Sequence, residues 1–65
     1  MTAFDLFQRA TCQIADGDRA AAIKTLNKAI ARIDANGVEA DMRADLVDLR
    51  DSVKAAAMAE QWSIA

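Results

Sequence analysis

Nucleophilic side chains are few in this 65-residue chain, and none stands beside a histidine. Cys12 is the sole thiol, and with no histidine and no tyrosine the commonest general acids and bases are missing. A reactive thiolate needs an electropositive setting that lowers its pKa. Arg9, one helical turn away, is thin support for that, and no CxxC partner accompanies Cys12. Cys12 therefore reads as inert. Thr2, Thr11, Thr25, Ser52 and Ser63 carry hydroxyls with no histidine to activate them, and the sequence holds no glycine-rich phosphate loop. Asp41, Asp45, Asp48 and Asp51 form an acidic run. Without histidine, such oxygen ligands would hold Mg²⁺ or Ca²⁺ only loosely, and their spacing is not that of an EF-hand loop. The expectation is a protein that is not an enzyme, with no catalytic, cofactor-binding or metal-ligating residues.

The elements that carry these side chains follow from composition. The chain is 54% hydrophobic and 28% charged, with 16 alanines, two glycines and no proline. Alanine-rich chains without proline favour helix over strand, and this balance excludes disorder, collagen and a disulfide scaffold. One domain is the most that this length supports, and a domain so small buries only roughly 60% of its unfolded surface. A net charge of −2 and a pI near 4.8 provide no electrostatic footprint for nucleic acid. No run of about 18 apolar residues is present to span a membrane. Met1–Asp5 lacks the basic and apolar regions of a signal peptide. With a lone cysteine, the chain reads as a complete small cytoplasmic protein.

Two turn signals, Asp16-Gly17-Asp18 and Asn36-Gly37, divide the chain into three helices. The first is expected from about Ala3 to Ala15, with Thr2 as N-cap and Asp5 in a capping-box position. Its apolar face is Phe4, Phe7, Thr11 and Ile14, flanked by Leu6 and Ala10, and Asp5 precedes Arg9 by four on the other side. The second runs from about Arg19 to Ala35 with an apolar stripe of Ala22, Ile23, Leu26, Ala29, Ile30 and Ile33. Lys24, Lys28 and Arg32 recur on its opposite side as a solvated row. The third runs from about Val38 to Trp62, where Met42, Leu46, Leu49, Val53 and Ala56 follow heptad-like spacing. The fold class is all-α: an antiparallel helical hairpin plus a long third helix across it. The predicted core joins Phe4, Phe7 and Ile14 to Ile23, Leu26, Ile30 and Ile33, and to Leu46, Leu49 and Val53.

The segment from Gly17-Asp18 through Ala22, Ile23, Leu26, Ala29 and Ile30 resembles the second helix of a tetratricopeptide repeat. There, small residues seven apart flank a large apolar one after a Gly-Asp turn, and Leu6 and Ala10 match the large and small positions of the first helix. Arg9, Gln13 and Arg19 depart from the family's preferences. The resemblance covers about Ala3 to Asp34, a single repeat where solenoids use three or more. It implies a helical hairpin used for protein–protein contact, with no catalytic residues.

Two features bear on partners. Val47, Met58 and Trp62 lie well over 100° from the Met42–Ala56 stripe of the third helix, on a side that the hairpin reaches poorly. Tryptophan and methionine are enriched in interface cores. These three are expected to bind a protein partner, or a second copy in a homodimer. Asp41, Asp45 and Asp48 share one side of the same helix. They suit an alternative function, a small acidic inhibitor of phage or mobile-element type that blocks the basic surface of a nucleic-acid-binding protein. Neither reading involves a cofactor, direct nucleic-acid contact or a membrane.

Overall fold

The computed structural model describes the backbone of residues 2–64 and the side chains of residues 2–60. It is all-α: α1 (Ala3–Ala15), α2 (Arg19–Asn36), one 3₁₀ turn (Ala40–Met42) and α3 (Arg43–Ile64). Each boundary has a local cause. At the start of α1 the Thr2 hydroxyl accepts the Asp5 N–H at 3.1 Å, while the Thr2 N–H donates to the Asp5 carboxylate at 3.1 Å, a reciprocal capping box. Asp5 is thereby turned back toward Thr2, and among the described residues no ion pair joins it to Arg9. At the end of α1, Gly17 adopts a left-handed φ of 83°. This lets the Asp18 N–H reach the Gln13 carbonyl at 2.9 Å and its own N–H reach Ile14 at 3.0 Å. Asp18 then caps α2 by accepting the Ala21 N–H at 3.2 Å. One short loop therefore serves both helices and fixes the hairpin.

The third helix begins later than the sequence pattern suggests. Gly37 closes α2 at φ 68°, and Glu39 is the only described non-glycine residue at positive φ, 62°. That reversal breaks a helix that would otherwise start at Val38, and leaves Asp41 on the 3₁₀ turn instead of on α3. The Glu39 carboxylate accepts the Ala3 N–H and the Phe4 N–H, both at 3.2 Å. The α2–α3 turn is thus clamped to the first turn of α1, 36 residues away in sequence.

α1 and α3 each pack along α2. The buried core comprises Ala3, Leu6 and Ala10 of α1, Leu26, Ala29, Ile30 and Ile33 of α2, and Leu46 of α3. Ala22, Thr25 and Val53 are buried as well. The expected face of α1 requires correction. Phe4 is 48% exposed, Thr11 is exposed, and Phe7 and Ile14 are only half-buried. Small side chains on both helices, Ala3 and Ala10 facing a helix that buries Ala22 and Ala29, let the backbones approach closely. The contact is therefore centred roughly 90° around α1 from the aromatic stripe. Ile23 and Leu49 are half-buried, and Ala56 is exposed.

The register of α3 against α2 is marked by three polar contacts spread along the two helices. Arg43 donates to Asp34 at 2.7 Å, Arg50 donates to Asn27 at 3.1 Å, and Arg19 pairs with Glu60. α3 therefore runs antiparallel to α2 over most of its length. Between α1 and α2, the buried Thr25 hydroxyl lies 2.7 Å from the Gln13 side-chain oxygen.

Candidate interaction surface

The side chains that sequence reasoning assigned to partner binding are placed very differently from one another. Val47 is half-buried and packs against the chain's own core, so it belongs partly to the fold. Met58 is 53% exposed on α3. The side chain of Trp62 lies outside the described residues. Val47 thus departs from the expectation that the hairpin leaves it uncovered, while Met58 stays outside the core. Asp41, Asp45 and Asp48 are all exposed, and among the described residues none of them takes part in an ion pair. Asp51, the fourth acid of the run, differs in facing the Arg50 guanidinium at 3.2 Å.

A surface that sequence reasoning missed lies on α1. Phe4, Phe7, Gln8, Thr11 and Cys12 line a shallow depression. Four of the five fall on a single arc of the helix, and local chemistry makes that arc more apolar than its composition. The Thr11 hydroxyl donates to the Phe7 carbonyl at 3.0 Å, which turns its polar atom onto the helix and leaves the methyl group outward. Cys12 is an exposed free thiol at the edge of this depression. A large aromatic at this exposure is the more informative kind of surface residue, because isolated aliphatic exposure is ordinary in any small protein. The sequence did carry a signal for it. Ala3 and Ala10 stand seven apart with Leu6 between them, as Ala22 and Ala29 do with Leu26, and that pattern marks the buried arc and so displaces Phe4 to the surface.

Electrostatics around the molecule are local and mostly structural. Hydrogen bonds from the Thr2 backbone, then the Thr2 side chain, hold the Asp5 carboxyl below its ordinary pKa of 3.8. The Arg43 hydrogen bond does the same for Asp34, and the Asp34 hydrogen bond and charge in turn raise the Arg43 guanidinium above its ordinary value. Lys24, Lys28 and Arg32 are exposed on α2. Arg32 also borders a cavity of about 410 Å³ with Thr2, Ala3, Asn36, Val38 and Glu39. The first amides of α1 in that cavity are already taken by the Glu39 carboxylate.

Among the described residues, no three or more carboxylates and thiols are grouped to hold a metal ion. No helix among them is long and apolar enough to cross a membrane. Comparison of the chain with protein families, with curated proteins and with solved structures found no match.

Proposed function

We propose that this chain is a non-catalytic interaction module that binds a protein partner through apolar side chains left outside its core. The observation that carries the reading is Phe4, an aromatic held 48% exposed beside half-buried Phe7 on a short, capped helix. Holding an aromatic at the surface on a rigid element is the arrangement that interface anchors use. Met58, 53% exposed on α3, supplies a second apolar site, which Trp62 would extend and through which a second copy could bind as a homodimer. A single tetratricopeptide-like hairpin is compatible with this role, and the burial of Leu6, Ala10, Ala22, Leu26 and Ala29 supports it. We place the protein in the cytoplasm, on the strength of its lone cysteine.

The test is purification of tagged chain from its native host, as wild type and as Phe4→Ser, followed by mass spectrometry of stoichiometric companions. The expected result is a companion held by the wild type and released by Phe4→Ser while helicity by circular dichroism is kept. A wild-type chain that sediments as a monomer and holds no companion overturns the reading.

The alternative, an acidic inhibitor of a nucleic-acid-binding protein, is favoured by the exposed carboxylates of Asp41, Asp45 and Asp48, which take part in no ion pair among the described residues. A complex of that kind weakens steeply between low and high salt, whereas an apolar one does not.

A further inference from the structure

Three of the polar contacts that join the helices lie on one side of each outer helix. Gln13 of α1 meets Thr25, and Arg43 and Arg50 at the α3 flank meet Asp34 and Asn27. At about 100° per residue, Phe7 and then Phe4 lie beyond the buried Ala10, on the flank of α1 away from Gln13. By the same count Leu49 and then Asp45 lie beyond the buried Leu46, on the flank of α3 away from Arg43 and Arg50. Both flanks therefore turn to the face of the molecule opposite α2. Phe7, Met42 and Leu49 rest on one buried cluster, and each keeps part of its surface in solvent. This face thus has an aromatic margin on α1, a half-buried apolar floor, and a carboxylate margin that begins at Asp45, with Asp48 one turn on and further outward.

We propose that this face receives an amphipathic helix of a protein partner, one that carries a row of lysine or arginine beside its apolar stripe. The proposal rests on the interaction reading above and names the chemistry of its partner. An apolar stripe at i, i+3, i+4 and i+7 suits a floor bounded by two helices. The charge follows from the carboxylate margin. A neutral helix would strip water from the Asp45 carboxylate without replacing it, and an acidic one would add like-charge repulsion from Asp45 and Asp48. The α2 helix of a second copy does not supply such a helix. Its cation row, Lys24, Lys28 and Arg32, sits among the exposed alanines Ala20, Ala31 and Ala35, with no large apolar residue beside it.

The experiment uses the full chain and a fluorescein-labelled 18-residue peptide of leucine and lysine placed at helical amphipathic spacing, with binding followed by anisotropy. Two control peptides are a scrambled sequence of the same composition and a version with glutamate for lysine. The expected result is binding of the amphipathic lysine peptide alone. Asp45→Asn/Asp48→Asn should weaken it by about three- to tenfold, and Phe4→Ser should weaken it too. The charge-matched chain Asp16→Asn/Asp51→Asn should bind as wild type does. Equal binding of the scrambled peptide, or an unchanged affinity in Asp45→Asn/Asp48→Asn, overturns the proposal. If no peptide binds while a host companion is still released by Phe4→Ser, the cationic-helix proposal fails and the interaction reading stands. If both fail, the interaction reading falls with it.

Discussion

Leu26 and Phe4 are both large apolar residues at regular helical spacing, yet the fold gives them opposite roles. Leu26 is fully buried at the centre of α2, while Phe4 is half exposed at the start of α1. Leu26→Ala should cost about 2–5 kcal/mol in chemical denaturation, most of the stability available to a domain of this size. Phe4→Ser should cost well under about 1 kcal/mol. Equal losses from the two would return Phe4 to the core and remove the anchor from the proposed interface. A second residue-level prediction concerns acid. The folded-state pKa of Asp5 is lowered by its hydrogen bonds to Thr2. Its contribution to stability is therefore complete above the ordinary value of 3.8 and is lost as pH falls through the lowered folded value. Asp5→Ala should lower the melting temperature at pH 6 and have a smaller effect at pH 2, where the wild-type carboxyl is closer to its neutral form. A melting-temperature loss that is the same at both pH values would show that the capping box does not depend on the charge of Asp5.

At the scale of elements, what was legible from sequence was whatever local chemistry decides. The bounds of α1 follow from Thr2, Asp5 and Gly17, and those of α2 follow from Asp18 and Gly37, all within a few residues of the ends they set. The start of α3 was not legible, because it is decided by Glu39, whose hydrogen-bond partners lie at the other end of the hairpin. The rotation of α1 was half legible: both the aromatic stripe and the alanine spacing are in the sequence, and close backbone approach decided for the smaller residues. The placement of Asp41 failed with the start of α3, while Asp45 and Asp48 sit on the helix and in the solvent as their spacing indicates. Glu39→Gly tests the clamp directly. It relieves the left-handed backbone but removes both acceptors, so a net loss of about 1 kcal/mol is expected. A gain in stability would mean that strain at Glu39 outweighs its hydrogen bonds to α1.

The whole molecule is three helices arranged about α2, with the apolar exposure of Phe4 and Met58 on the two outer helices. If Met58 and Trp62 join two copies, sedimentation at micromolar concentration should show a dimer that Met58→Ser shifts toward monomer with little loss of helicity. A monomer unaffected by Met58→Ser would assign α3 no part in self-association.

The Glu39 clamp also bears on how this molecule opens. Amides in the first turn of a helix ordinarily exchange with solvent quickly, since they have no partner within the helix. Here the Ala3 and Phe4 amides are held by a carboxylate on the turn that launches α3. Their hydrogen-exchange rates should therefore track release of the α2–α3 turn, not fraying of α1, and should match those of buried α3 amides near Leu46. Glu39→Gly should free these two amides alone while leaving the middle of α1 protected. Two amides near the chain's beginning would then serve as a built-in gauge of whether its last helix is docked.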